Sequence, residues 1–133
     1  MKWPKGDLEE GSLYHRPGHI TDIMATICDV AEAEYPETYN GNPIVPLQGI
    51  SFKPYITGES EIEPRTLYWE HEGNRAIRKG DWKLVSMSGK PWELYDLSKD
   101  RSESSNLFEN NAGITNEMKY LFEKWAEKVG VSE

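Results

Sequence analysis

"TLYWEHEGNRAIRKGDWKLVSMSGKPWELYDL", residues 66–97, decides the fold. Four runs rich in aromatic and aliphatic residues, "TLYWEH" (66–71), "RAIRK" (75–79), "WKLVSM" (82–87) and "WELYDL" (92–97), are separated by "EGN", "GD" and "SGKP". Those breaks are turn chemistry: Gly accepts positive φ, Asn and Asp bond nearby backbone, and short breaks between strands make hairpins. The segment predicts an antiparallel meander of four strands. Alternation puts Leu67, Trp69 and His71 on one face of the first strand. It puts Trp82, Leu84 and Ser86 on one face of the third, with Val85 and Met87 opposite.

The same segment gathers Arg75, Arg78, Lys79 and Lys83 within nine positions of a chain whose formal net charge is −8. Such a cluster is either a site or a solvated hairpin whose cations balance Glu70, Glu72 and Asp81. Arg78 shares the parity of Ala76, which predicts a structural arginine with an acidic partner. Trp69, Trp82 and Trp92 alternate with aliphatic residues, so core packing is expected in preference to sugar stacking.

Downstream, "SKDRSESSNLFENNAG" (98–113) reads as a polar connection, and residues 116–129 as a helix with Thr115 as N-cap and Gly130 as its stop. Met118, Leu121, Phe122, Trp125 and Val129 form one stripe, predicted to lie on the sheet with Trp125 as anchor. Asp96, Asp100 and Glu103 do not have the spacing of a cation-binding loop, and turn capping is the better account.

Upstream, Ile20, Ile23, Met24, Ile27 and Ala31 repeat with helical period over residues 20–33, and Cys28 and Val30 widen the stripe. The apolar arc is roughly 160°, wider than the ~100° of an ordinary surface helix, so more than one neighbour is expected. His19 and Asp22 are placed to cap or pair at its start. "SFKPYITG" (51–58) reads as a short helix with Ser51 as cap and Gly58 as stop. "MKW" (1–3) looks like the end of a strand, followed by a loop that carries His15, so the chain is expected to begin in mid-fold.

The chain has 133 residues, 37% of them hydrophobic, with five Trp and seven Tyr. That suffices for a core without disulfides. The lone Cys28 has no partner for a disulfide or a Cys-based metal site, and a buried, inert thiol is expected. The acidic balance argues against nucleic acid and anionic membrane as main partners. No run reaches the ~18 apolar residues of a transmembrane helix, and the first residues lack the apolar core of a signal peptide.

The order of these segments resembles the C-terminal part of the sulfatases, alkaline-phosphatase-like enzymes that hydrolyse sulfate esters. "HITDIMATICDV" (19–30) is similar to the family's His-x-x-Asp-x-x-Pro-Thr helix, with Ala25 in place of the proline. "LQGISFKPYITG" (47–58) resembles its Gly-x-Ser-x-x-Pro-x-x-x-Gly segment. "LYWEHEGNRAIRKGDWKLV" (67–85) and "WELYDLSKDRSESSNL" (92–107) resemble its two C-terminal blocks, with Arg101 where proline is usual. The expected fold class is α+β: a four-stranded antiparallel sheet packed by a C-terminal helix, preceded by a helix and loops. Residues 1–58 would be the tail of the catalytic domain and residues 59–133 the C-terminal subdomain.

The resemblance also implies a formylglycine, made from a Cys/Ser-x-Pro-x-Arg motif, and a calcium-type divalent cation held by Asp and Asn. Cys28 is followed by "DVAE", and there is no Asp-Asp pair. A strong nucleophile and charge stabilisation on the sulfuryl oxygens are both needed. The expectation is therefore a sulfatase C-terminal part with no catalytic or metal residues of its own, inactive alone. It would complete the fold and the pocket rim of a catalytic domain, or self-associate through residues 20–31. His71, Glu72, Asn74 and Arg75 at the first turn are the candidate substrate contacts. A periplasmic or secreted setting is favoured for the complete enzyme. A stand-alone glycan- or protein-binding module is the alternative.

Overall fold

A computed structural model describes residues 8, 11, 13–59 and 63–131. The expected strand at residues 1–3 lies outside them. Two compact units divide the chain, residues 1–63 and 64–133.

In the second unit, β3 (Thr66–His71), β4 (Asn74–Lys79), β5 (Trp82–Ser86) and β6 (Glu93–Asp96) form an antiparallel sheet in sequence order. Glu72 and Gly73 both take positive φ (51° and 80°), as a two-residue hairpin of this twist requires. A Cβ at Gly73 would lie 2.7 Å from Ser88 Oγ, so the turn also needs glycine for its contact. The register aligns Tyr68, Ile77, Leu84 and Leu94 in one row across all four strands. Ile77, Leu84 and Leu94 are fully buried, together with Met118 and Phe122 of α3 (Ala112–Val129). Trp82, Trp92, Ile114, Leu121 and Trp125 pack around that core. The Trp125 ring stacks on Tyr68 at 5.2 Å and 6°, and it lies 5.4 Å from the Phe122 ring.

Several expectations need correction here. Trp69 is 38% exposed, because the row facing α3 contains Tyr68, and strand alternation sends Trp69 to the other side. Val129 is exposed at the end of α3. The helix begins four residues early. Ile114 is already helical and held on the core, so Thr115 is buried in the first turn and does not cap, and its Oγ1 has no partner. Among the described residues Arg78 has no acidic partner; its Nε donates to the Gly80 carbonyl at 3.0 Å.

In the first unit, α1 runs Asp22–Val30, a two-residue hairpin joins β1 (Thr38–Tyr39) to β2 (Asn42–Pro43), and α2 spans Lys53–Ile56. The helix expected to reach residue 33 stops at Val30, where Glu32 turns into left-handed conformation (φ 53°). Its inward side is polar. Asp22, only 1% exposed, accepts from the His19 N–H (2.7 Å) and the Ile50 N–H (3.0 Å). Thr26 Oγ1 donates to the Asp22 carbonyl (2.7 Å) and accepts from the Phe52 N–H (3.0 Å). The Ser51 hydroxyl accepts from the Lys53 N–H at 3.1 Å, but Phe52 is the N-cap, and the helix expected over residues 51–58 is confined to Lys53–Ile56. A Cβ at Gly49 would sit 2.2 Å from the Thr21 carbonyl oxygen, so the close approach of this loop to α1 admits only glycine. Ile20, Ile23, Met24 and Ile27 are 50–78% exposed. Cys28 is half-buried, not enclosed, since α1 buries its Asp22–Ala25–Thr26 side instead.

Replacing Trp125 by Ala should destabilise the second unit by about 3 kcal/mol, the low end for emptying a large aromatic site, because the ring is only partly covered. A shift in denaturant midpoint worth under ~1 kcal/mol would show that α3 is anchored elsewhere.

Candidate functional site

Three of the four cations of the basic segment have structural partners. Lys79 pairs with Glu117 of α3, Lys83 Nζ lies 2.5 Å from Glu103, and Arg78 is tied to its own turn. Arg75 differs. It shares the face of Ile77, and its guanidinium lies 5.5 Å from the centroid of the Trp92 ring. That distance is within the ~6 Å range of a cation–π contact. Its Nε is shut off from solvent and has no hydrogen-bond partner.

Arg75 lines a cavity of about 550 Å³. Glu70, Gly73, Ser88, Gly89 and Trp92 line it from the sheet and its turns; Phe122, Glu123, Ala126 and Glu127 line it from α3. Trp92 and Phe122 meet edge to face at 5.4 Å and 68°. Glu70 Oε1 accepts the Gly73 N–H at 2.9 Å, and Glu127 is paired with Lys124 at 3.2 Å.

The four candidate contacts do not converge. His71 and Asn74 are cross-strand partners on the face opposite Arg75, Glu72 sits at the exposed tip, and Arg75 lies on the α3 side. Asn74 braces the tip: its Nδ2 donates to the His71 carbonyl (2.9 Å), and its Oδ1 accepts the Ser88 N–H (3.2 Å). The surroundings of Arg75, namely Trp92, Phe122, Glu123 and Glu127, were not anticipated. One signal was available. Arg75 has the parity of Ile77, and an arginine in the row that feeds the core has to be accommodated.

The acidic loop caps turns. Asp100 accepts from the N–H groups of Ser104 and Ser105, both at 2.8 Å, and from two serine hydroxyls. The Ser105 N–H is the largest of the influences that hold its carboxyl below the ordinary value. The Ser98 hydroxyl (2.6 Å), then Lys99, do the same for Asp96. Burial, with Glu93 beside it, pushes the Tyr95 hydroxyl up to about 12.

Among the described residues no group of three or more His, Cys, Asp or Glu side chains could hold a metal ion. Cys28, within α1, lacks the motif that yields formylglycine. The described residues do not fit either group.

A family model described as "N-sulphoglucosamine sulphohydrolase, C-terminal" matches residues 1–128. The chain belongs to this family of sulfatase C-terminal domains. It is 34% identical over 113 residues to an uncharacterized sulfatase of Schizosaccharomyces pombe, covering 80% of this chain and 20% of that protein. It is 30% identical over 105 residues to the choline-sulfatase of Rhizobium meliloti, covering 76% and 20%. The chain thus spans about one fifth of the length of these relatives. Among solved structures, Ps i-CgsB in complex with k-i-k-neocarrahexaose matches with TM-score 0.58 and 25% identity, over 79% of this chain and 23% of that one. BT4656 in complex with its substrate D-glucosamine-2-N,6-O-disulfate matches with TM-score 0.57 and 24% identity, over 80% and 23%. The α+β fold and the sulfatase reading therefore stand, and the stand-alone module is not favoured. No helix among the described residues is long and apolar enough to cross a membrane.

Depressed carboxyls give a signed pH dependence. Their contribution is fully present above the unfolded value, ~3.9 for Asp, and is lost as pH falls below it toward the folded values. Chemical denaturation from pH 6 down to pH 2 should show stability falling below about pH 4. Asp100→Asn should start lower at neutral pH and lose less on acidification. An unchanged slope in that variant would remove Asp100 from the account.

Proposed function

We propose that this chain serves as the C-terminal part of a sulfuric ester hydrolase, completing the fold and the rim of a substrate pocket in a catalytic domain, without catalysing alone. The observation that carries the reading is the orientation of α1. It spends Asp22 and Thr26 on backbone groups of its own unit and leaves Ile20, Ile23, Met24 and Ile27 outward. Contiguous apolar area of this kind marks an interaction surface. The lengths of the relatives supply the candidate that would cover it, a catalytic domain.

In that complete enzyme the formylglycine and the calcium-type cation belong to residues outside this chain. His71, Glu72 and Asn74 are the hairpin-tip residues on offer to a sulfated substrate, and Arg75 acts from the other face. The family resemblance favours a periplasmic or secreted setting for that complete enzyme.

The isolated chain should show no aryl sulfate turnover; turnover that survives Cys28→Ala would overturn the reading. Without a catalytic domain, burial at ~25 cal/mol per Å² favours self-association through residues 20–31. Sedimentation at tens of micromolar should show a dimer or larger assembly, and Ile27→Glu should weaken it by burying a charge. A wild type that is monomeric at that concentration removes this face as an interface between copies.

A further inference from the structure

We propose that the outer edge of β3 is a self-pairing surface, on which a second copy of this chain docks its own β3 antiparallel to the first. The two-residue turn at Glu72 and Gly73 makes His71 and Asn74 a pair that exchanges both backbone bonds. By alternation Trp69 with Ala76, and Leu67 with Arg78, do the same. The N–H and C=O groups of Thr66, Tyr68 and Glu70 therefore point away from β4, and among the described residues no backbone bond reaches them. The other edge is closed within the chain. Leu94 of β6 donates its N–H to Asn106 Oδ1 (3.1 Å) and accepts the Leu107 N–H (2.8 Å), and the Asp96 carbonyl accepts the Asp100 N–H (2.8 Å). An open edge pairs readily with another strand unless lysine, proline or a bulge blunts it. Residues Thr66–His71 contain none of these.

The sequence of β3 selects its own copy as occupant. A dyad through Tyr68 sets Tyr68 opposite Tyr68 of the second copy, and Thr66 opposite Glu70 on either side. Every outward N–H and C=O of the three residues is then met. The Thr66 hydroxyl donates to the Glu70 oxygen that the Gly73 N–H leaves open, no like charges are opposed among these residues, and on the reverse face Leu67 lies opposite Trp69. Other registers lose bonds. A dyad at Leu67 sets Glu70 opposite Pro64, which has no N–H, and one at Trp69 sets Thr66 opposite the turn residue Glu72. The helices leave room, because α3 packs over β4 and β5 and not over the edge. At ~4.8 Å per strand the two copies of α3 would lie about 19 Å apart, against the roughly 8–10 Å of helices in contact.

This pairing lies within residues 64–133 and is independent of any contact through α1. It is tested by amide hydrogen exchange on the 133-residue chain, followed by NMR from low micromolar to hundreds of micromolar. Exchange at Tyr68 and Glu70 should slow at least about tenfold as concentration rises, while Leu67 and Trp69, already bonded to β4, stay protected throughout. Ile27→Glu, in the other unit, should leave that concentration dependence in place. Thr66→Pro removes an outward N–H without touching the bonds to β4, and it should abolish the dependence. If Thr66→Pro does not fold, Glu70→Ala decides the matter. It keeps the backbone and should raise the midpoint concentration at least about fivefold, the value of one hydrogen bond. Exchange at Tyr68 and Glu70 that is the same at every concentration overturns the proposal: if fast, the edge is left to a different partner, and if slow, this chain covers it. Loss of the concentration dependence in Ile27→Glu, or its persistence unchanged in Thr66→Pro or Glu70→Ala, overturns it as well.

Discussion

The second unit depends on one constraint, the register that lines up Tyr68, Ile77, Leu84 and Leu94 beneath α3. A slip of one residue would turn the opposite row toward the helix. That row carries Leu67, Arg78, Lys83 and Tyr95, and two cations would be driven under Met118 and Phe122. The turns enforce the register independently, through the positive φ of Glu72 and Gly73 and the contact between Gly73 and Ser88. Once the row is fixed, so is the place of Arg75. It follows Ile77 by parity to the core side, at the sheet's end, where α3 leaves room over Trp92.

Polar groups do the corresponding work in the first unit. The Asp22 carboxylate binds backbone N–H groups on both sides, and Thr26 binds a third segment. Bonds to a charged acceptor are each worth about 1.5–3 kcal/mol, and losing a buried acceptor strands its donors. A short unit gains definition this way, and its helix leaves Ile23, Met24 and Ile27 exposed. The His19-x-x-Asp22-x-x-x-Thr26 spacing and the Gly49-x-Ser51 spacing thus have one physical meaning. They close a loop onto a helix through its backbone.

What could be read from the sequence follows the same division. The strands and turns of residues 66–97 were legible because each turn carries its own local chemistry and each strand a short period. The identity of the inward row was not, since "LYWEH" offers large residues to both faces and only the partner rows choose Tyr68 over Trp69. The start of α3 was obscured by Thr115, a good capping residue overridden because packing of Ile114 extends the helix. The wide arc of α1 was visible, but its inward polar side was not, because Asp22 and Thr26 are recognised as buried only when the backbone of residues 50–52 is in place. Of the candidate site, Arg75 was visible as a residue; the cavity around it joins positions fifty apart in the chain and has no local signature.

The charge pattern that first suggests a site resolves into three structural cations and one exception. Lys79 and Lys83 each meet a carboxylate brought from a distant segment, and Arg78 closes its own turn, so their clustering reflects links from the two central strands to α3 and to the loop bearing Glu103. An exposed pair such as Lys79–Glu117 contributes little, typically under ~1 kcal/mol, and the Lys83–Glu103 pair is half-buried. They restrain neighbouring segments more than they stabilise them. Arg75 has none of that compensation. Its partner among the described residues is an aromatic face, which attracts the cation without accepting its Nε–H. A buried donor left open costs about 1–3 kcal/mol. The register places Glu70 opposite Arg75, and Glu70 gives one of its oxygens to the Gly73 N–H. The enclosed donor is thus a cost that the unit carries for the register that fixes its core row.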